Sequence, residues 1–342
     1  MAKRLALGVL DQVPVPEGCT AAESVEETLA LARTAEGLGY RRYWLAEHHD
    51  TTSLASTAPE VMVAAVAGVT STIRVGSGGV LLPYYSPLKV AEVFRTLHAL
   101  HPGRIDLGVG RAAGTGPGAE AALLASGGAS GDRRFPEHLA ELLGFLHGDL
   151  GAEHPWSGVR AMPQSPGSPE VWLLGSSSFS SACAASFGLP FAFAHFITPA
   201  YGPQLVAGYR RRFRPGVIAE PRVVVAVSAV CAPTDAEAER LSSGADLWRL
   251  GPEGSGRAQI LSPEAVAAHR WSDLERQKAA QARAKVVVGN PERAAAALRA
   301  LAGEFDVDEL LVLTVCHDLT ARRRSYELLA ESVGLEPPEE WR

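Results

Sequence analysis

The sequence lacks the features that mark disulfide-bonded, nucleic-acid-binding and membrane proteins. Its four cysteines are far apart among 342 residues and form no Cys-x-x-Cys pair, so neither a zinc site nor a disulfide framework is expected. Lysine plus arginine number 32 and aspartate plus glutamate 38, interspersed along the chain, which argues against a nucleic-acid partner. No apolar run approaches the roughly 18 residues that a membrane span needs, and residues 5–10 are too short for a signal-peptide core. We therefore expect a cytoplasmic protein.

The chain does show a regular alternation of two patterns. Short apolar or β-branched runs alternate with longer stretches of helical period, which is typical of repeated βα units around a parallel sheet. The predicted strands are residues 4–10, 41–46, 73–81, 104–109, 170–175, 190–193, 222–231 and 308–315. The predicted helices are residues 22–38, 59–71, 87–100, 136–150, 178–187, 199–213, 291–302 and 320–332.

Eight such pairs in a chain of this length predict an α/β fold, the (β/α)8 TIM barrel, as a single domain over residues 1–342. The rival is an open doubly wound sheet, but no Gly-x-Gly-x-x-Gly motif follows the first strand. Residues 112–135 and 232–283 are insertions that a minimal barrel would not contain. We predict that these two insertions lie at the carboxyl-end face of the barrel and cover its active site.

Polar residues collect where the predicted strands end, which is the face that carries the active site in TIM barrels. The second strand runs into WLAEHHD, residues 44–50. Adjacent residues of an extended chain point to opposite sides, so only one of His48 and His49 can face the barrel mouth. No second cluster with ligand spacing accompanies them, and a metal site is therefore not expected.

Two further strand ends predict a site for a phosphate-bearing aromatic ligand. The turn GSSSFS, residues 175–180, opens a helix and offers hydroxyls, backbone N–H groups and the positive helix end to an anion, although Ser is also an ordinary helix cap. Arg111 follows the neighbouring strand and could pair with a phosphate dianion. The run Gly76-Ser77-Gly78-Gly79 interrupts a strand, and such bare backbone permits close approach by a flat ring.

At these residues the sequence resembles the bacterial luciferase-like flavin monooxygenases, and more narrowly their single-chain, antibiotic-tailoring branch. The likeness is carried by WLAEHH, VGSGGVLLPYYSPLKVAEVFRTL, HPGRIDLGVGRA and WLLGSSSFSSACAASFGLPFAFAH, and it covers residues 5–200 and 286–330. It implies a monooxygenase that receives reduced FMN from a separate flavin reductase and activates O2 as a flavin C4a-(hydro)peroxide. The implied substrate is a small organic molecule, for example a secondary metabolite such as a polyketide. Relatives also imply a homodimer.

The resemblance further implies roles for individual residues. His48 matches the active-site histidine beside the flavin, and Gly78-Gly79 falls where the family has a non-proline cis peptide beneath the isoalloxazine ring. Arg111 matches the phosphate-binding arginine, whereas Gly110 stands in place of a cysteine that is reactive in luciferase. The implied phosphate loop consists of Ser176, Ser177, Ser178 and Ser180. The candidates for the substrate side are Glu47, His195 and His317.

Two other functions fit the same barrel. A deazaflavin (F420)-dependent oxidoreductase would transfer a hydride instead of oxygen, but such members more often have Asp-His than Glu-His-His after the second strand. A non-catalytic flavin-binding protein is less consistent with the presence of both His48 and Arg111. For a monooxygenase, hydroxylation, epoxidation and Baeyer–Villiger oxygenation all stay open.

Overall fold

The fold is a closed parallel β-barrel, seen in a computed structural model that describes residues 4–111, 116–125, 134–250 and 259–337. Within these ranges nine strands form one sheet: β1 Ala6–Asp11, β2 Arg42–Leu45, β3 Arg74–Leu81, β4 Ile105–Gly110, β5 Glu170–Gly175, β6 Phe191–Ala194, β7 Val223–Cys231, β8 Val286–Gly289 and β9 Glu309–Leu313. Eight of them follow each other in the order β6-β5-β4-β3-β2-β1-β9-β7, and pairing of β6 with β7 closes the barrel. The predicted TIM barrel is confirmed.

The helices of the described ranges connect these strands. They are α1 Ala21–Gly37, α2 Pro59–Gly68, α3 Pro87–Leu100, α4 Pro117–Leu124, α5 Phe135–His147, α6 Ser178–Phe187, α7 Gly202–Arg212, α8 Asp235–Ser243, α9 Asp246–Arg249, α10 Pro263–Ala268, α11 Asp273–Arg283, α12 Pro291–Phe305 and α13 Leu319–Val333. All eight predicted helices are present. The one predicted from residue 199 begins at Gly202 instead, because Tyr201 has a left-handed backbone with φ of 60°. In the part of the chain that the structure describes, no helix has both the length and the apolar character needed to cross a bilayer.

The strand β8 is the one described strand that the sequence patterns did not predict. It is four residues long and pairs with residues 228–231 of β7, beyond the residues 223–226 that pair with β6. Helices α8 to α11 precede it and belong to the predicted insertion of residues 232–283. A run of only four residues carries too little periodicity to distinguish a strand from a loop.

Successive residues of each strand face opposite sides of the barrel wall. On β2, Tyr43 and Leu45 pack outwards in the core between barrel and helices, whereas Trp44 points inwards and packs against Trp172 of β5. The outer core is the larger one, as expected when helices surround a closed sheet. The inner cluster fills the middle of the barrel and leaves its carboxyl end for a site.

A network of buried ions occupies the amino end of the barrel. The fully buried carboxylate of Asp106 accepts hydrogen bonds from Arg42 Nη1 at 2.7 Å, Arg74 Nε at 2.9 Å and Trp44 Nε1 at 2.8 Å. Arg42 also donates to Glu309 at the start of β9. Because each charge has a partner of opposite sign, the network holds four strand beginnings together and closes this end.

Candidate functional site

A cavity of about 350 Å³, which we call the inner cavity, lies at the carboxyl ends of the strands. Its apolar wall includes Leu10, Trp44, Leu174, Ala192, Ala226 and Leu311. The predicted residues that line it are Glu47, His48, Gly78, Gly79, Arg111, Ser176, Ser177 and Ser180. These residues come from the ends of β2, β3, β4 and β5, which are far apart in sequence. They meet because the barrel brings all its strand ends to one face.

His48 lies where the inner cavity meets a second cavity, and it lines both. Its Nε2 is 3.1 Å from Nε2 of Gln12, the residue that follows β1, and its backbone N–H donates to Ser56 O at 2.9 Å. Gln12 Oε1 is buried and has no hydrogen-bond partner within the described residues. Gln12 was not predicted, although its place directly after a strand was a usable signal. It holds the His48 ring at the junction of the two cavities.

Glu47 also lines the inner cavity, but its carboxylate oxygens already accept hydrogen bonds from other residues of the protein. They accept from Tyr85 Oη at 2.6 Å, from His49 Nε2 at 2.8 Å and from the backbone N–H of Leu81 at 2.9 Å. Burial and the adjacent Glu47 charge raise the pKa of Tyr85, so its hydroxyl stays protonated and keeps donating. Glu47 was predicted for the substrate side, whereas the structure places it as a link between the ends of β2 and β3. Of the two adjacent histidines, only His48 lines a cavity.

The glycine pair presents bare backbone to the inner cavity. The Gly78–Gly79 peptide bond is cis, as the family resemblance implies. A Cβ atom added to Gly78 would lie 2.6 Å from Leu10 Cδ1, and one added to Gly79 would lie 2.6 Å from the carbonyl oxygen of Gly108. Both positions therefore exclude side chains, and at Gly79 the obstacle is backbone that cannot rotate away.

We expect Gly79→Ala to lower the free energy of unfolding by about 1–3 kcal/mol, the usual effect of overpacking a filled site. Thermal unfolding followed by circular dichroism would measure it. Gly110→Ala is the matched control, because Gly110 lines the same cavity and an added Cβ meets nothing within 4 Å. Equal unfolding temperatures for the two variants would contradict the steric argument.

The serine-rich turn forms the start of α6 beside the cavity. Ser177 is the N-cap residue, and its Oγ accepts from the backbone N–H of Ser180 at 3.3 Å and contacts Ser180 Oγ at 3.2 Å. Ser176 Oγ donates to Thr198 Oγ1 at 3.4 Å. Ser178 is exposed and is not among the lining residues, so its predicted place in the phosphate loop is not supported. The helix turn directs its side chain to solvent while Ser180 turns inwards.

The guanidinium group of Arg111 lies at the end of the cavity nearest this turn. Its Cζ is 4.3 Å from the ring centroid of Phe179, and Phe179 in turn makes an edge contact with Phe135 at 6.4 Å. A cation stacked on an aromatic ring keeps a defined orientation. Phe179 was not predicted as a functional residue, and its position inside the serine-rich turn was the only signal. Arg111 and the start of α6 together form a positive end of the cavity.

His195 and His317 do not line either cavity, contrary to their predicted place on the substrate side. His195 follows the outward-facing Phe193 in the alternation of β6, and its ring packs 5.4 Å from that of Phe305. Burial there lowers the pKa of His195. His317 Nε2 lies 3.0 Å from the carbonyl oxygen of Glu17, and the neighbouring Asp318 caps α13.

The second cavity, which we call the outer chamber, measures about 670 Å³. It shares Gln12, His48, Phe196 and Ile197 with the inner cavity, so the two adjoin. Its remaining lining includes residues of α9, α11 and β8, which places the second insertion at the carboxyl-end face as predicted. The first insertion, residues 112–135, lies partly outside the described residues.

Comparison with known proteins gives consistent matches over the whole chain. A family model described as luciferase-like monooxygenase matches residues 5–307. A luciferase-like monooxygenase of Escherichia coli (strain K12) is 38% identical over 328 residues, covering 95% of this chain and 96% of that protein. The N-acetyl-S-alkylcysteine monooxygenase of Bacillus subtilis (strain 168) is 35% identical, covering 96% and 98%. The crystal structure of apo-MsnO8 is 40% identical with a TM-score of 0.88, covering 98% and 100%.

Two more distant solved structures share the fold. One is the oxygenating constituent of 3,6-diketocamphane monooxygenase from Pseudomonas putida in complex with FMN, with a TM-score of 0.69 and 20% identity over 96% of this chain and 97% of that one. The other is an F420-dependent secondary alcohol dehydrogenase with an F420-acetone adduct, with a TM-score of 0.65 and 12% identity over 96% and 99%. At these identities the likeness concerns the barrel alone.

Proposed function

The chain belongs to the luciferase-like monooxygenase family, and from that premise we propose that it is an FMNH2-dependent monooxygenase that uses O2 to oxygenate a small organic substrate. The observation that carries the proposal is the convergence of His48, the glycine pair Gly78-Gly79 and Arg111 on one cavity. Each of the three meets a different requirement. His48 can transfer a proton, the glycine pair offers a surface for a flat ring, and Arg111 provides a cation for a phosphate.

The residues of the inner cavity fit FMN. The apolar wall and the side-chain-free backbone of Gly78 and Gly79 suit the faces of an isoalloxazine ring. Arg111, Ser177 and the positive start of α6 suit its phosphate, for which a planar guanidinium and helix N–H groups are favourable partners. Reduced FMN, when bound, supplies the chemistry with O2, while the protein supplies orientation and electrostatics.

His48 is the residue that we propose moves a proton during oxygenation. Histidine is the commonest general acid and base in proteins, and this one lies where the flavin cavity opens to the outer chamber. The contact of its Nε2 with Gln12 keeps the ring at that junction. The apolar side chains of Phe196 and Ile197, which also line both cavities, limit the access of water to the reacting atoms.

Several finer points are part of the same proposal. We propose that a separate flavin reductase provides FMNH2, since the sequence has no nicotinamide-binding motif. The resemblance to antibiotic-tailoring members suggests a secondary metabolite such as a polyketide as the substrate. We also propose a homodimer, which the family resemblance implies, and a cytoplasmic location. Hydride transfer with reduced deazaflavin on the same barrel is the competing function. Incorporation of an oxygen atom from ¹⁸O2 into an organic product with reduced FMN, but not with reduced deazaflavin, would support the monooxygenase.

The decisive binding test is Arg111→Ala, titrated with FMN and with riboflavin. A hydrogen bond to a charged group contributes about 1.5–3 kcal/mol, so we expect the FMN dissociation constant to rise about 10–100-fold. Riboflavin lacks the phosphate, and its affinity should change little. Ser178→Ala is the matched control, because Ser178 belongs to the same turn but is exposed. Equal losses of affinity for both flavins would place the phosphate elsewhere and refute the proposed pose.

A further inference from the structure

The lining of the outer chamber has charge of one sign. Among the described residues that line it, the charged side chains are Arg249 of α9, Lys278 of α11 and Lys285 just before β8, and no carboxylate is present. These three cations come from the second insertion and its end, not from the strand ends that form the inner cavity. A chamber with cations and no acid among its described lining favours an anion inside it.

Arg249 has hydrogen-bonding capacity that the protein does not use. Its Nη1 donates to Asp246 Oδ1 at 3.1 Å and to Ser242 O at 3.3 Å. Its Nη2 is buried and has no hydrogen-bond partner among the described residues, and only 11% of the side chain is exposed. Leaving a buried charged donor without a hydrogen bond is unfavourable, so an added acceptor would stabilise this arrangement.

The nearby carboxylate does not belong to Arg249 alone. Asp246 also accepts two hydrogen bonds from Arg283 Nη1, at 2.9 and 3.1 Å, and Arg283 Nη2 in turn donates to Glu239, so that two carboxylates serve the two guanidinium groups. Burial lowers the pKa of Arg249 to about 10, which still leaves the group protonated at neutral pH. Arg249 is therefore charged, and its unpaired Nη2 is the group that an added acceptor could bind.

The rest of the lining is mostly apolar. It includes Trp248, Leu250, Val286, Leu313 and Val315, together with Phe196 and Ile197 at the junction with the inner cavity. Lys285 Nζ is held at that junction by a hydrogen bond to Ile197 O at 3.0 Å. Such a lining suits a largely apolar body with few polar groups, while the cations suit a single charged end.

We propose that the outer chamber binds an organic anion, a molecule with an apolar body and one carboxylate or sulfonate group that pairs with Arg249 and Lys278. The proposal rests on the monooxygenase function, because it makes this anion the substrate and directs its uncharged end to His48 and the inner cavity. The cationic group thus selects the substrate and orients it. Arg249 is a specificity-determining residue in this arrangement and takes no part in proton transfer.

The test compares three ligands with the same naphthalene ring. They are 2-naphthoate, naphthalene-2-sulfonate and the neutral naphthalene-2-carboxamide, which has nearly the shape of the carboxylate. Calorimetric titrations would be done on the full chain with and without saturating FMN. Binding of these probes needs no flavin chemistry, so a failure of FMN to bind would refute the proposed function without deciding the anion preference.

We expect at least one of the two anions to bind about tenfold or more tightly than the amide, the effect of one charge-assisted contact. Arg249→Gln should reduce this preference to about the two- to fivefold that a partly solvated lysine supplies. Arg283→Gln is the matched control, since Arg283 bonds the same Asp246 but does not line the chamber, and it should retain the preference. Lys278 is exposed, so Lys278→Gln leaves the packing intact, and it should weaken binding of the anion about two- to fivefold, as expected for a partly solvated charge.

Relative affinities of the two anions identify which charged group the chamber prefers. Equal affinity of all three probes would overturn the proposal. An anion preference that Arg249→Gln leaves undiminished, or that Arg283→Gln reduces to the same extent, would overturn it as well. Raising the salt concentration should reduce the preference, because ionic screening weakens partly exposed charge pairs.

Discussion

Replacing His48 with alanine is expected to lower oxygenation by about 10²- to 10⁴-fold, the usual contribution of a positioned acid or base. FMN affinity should change little, because Arg111, the serine turn and the apolar wall remain. The measurement is the yield of oxygenated product by mass spectrometry, for a panel of organic anions and their neutral analogues supplied with FMNH2 and O2. FMN binding would be titrated in parallel.

The neighbouring residue provides the control for this experiment. His49 is hydrogen-bonded to Glu47 and does not line either cavity, so His49→Ala should change product yield by less than about threefold, far below the loss expected when an acid or base is removed. Comparing His48→Ala with His49→Ala thus distinguishes the loss of a histidine at the cavity from the loss of a histidine elsewhere in the same loop. Full product yield from His48→Ala would remove His48 from the mechanism.

Replacing Asp106 with alanine should lower the free energy of unfolding by about 3–5 kcal/mol, because the buried guanidinium of Arg42 would lose one of its two carboxylate partners. Asp106 is fully buried and binds Arg42, Arg74 and the indole N–H of Trp44. Trp44 belongs to the wall of the inner cavity, so loss of this acceptor should also loosen the wall that we assign to the flavin ring. Urea unfolding followed by tryptophan fluorescence measures the first effect, and FMN titration measures the second.

An ion pair at the surface provides the control for the predicted effect of Asp106→Ala on stability. Glu327 accepts from Arg324 at 2.7 Å, but both side chains are substantially exposed. Glu327→Ala should therefore lower stability by less than about 1 kcal/mol. If Asp106→Ala were no more destabilising than Glu327→Ala, the ion network at the amino end would not be a major stabilising element of the barrel.

Local sequence patterns were enough to predict most of the barrel. The helices α2, α3 and α12 begin at proline, which is favourable in the first helical turn, and their apolar faces follow the helical period. The eight predicted strands are all present because each is a short apolar run between such helices. The four-residue β8 was missed, since its place beside β7 depends on pairing and not on its own pattern.

The inner cavity was also largely predictable, for a geometric reason. A closed parallel barrel brings every strand end to one face, so polar residues directly after strands become neighbours whatever their separation in the chain. This holds for His48, Arg111 and Ser177. The same reasoning fails for His195 and Ser178. His195 follows a strand and Ser178 begins a helix, and local geometry decides to which side such residues point.

The sequence by itself determined the barrel and the residues that surround its mouth, because hydrophobic period, helix starts and strand ends are local properties. The existence and the lining of the outer chamber were decided only by the tertiary structure. Its cations lie in an insertion that is held on the barrel by long-range contacts, such as Trp248 Nε1 donating to Ser53 Oγ at 3.0 Å and the bridge between Pro16 and Ile260. Contacts between residues so far apart follow from how the whole chain packs, and no short pattern encodes them.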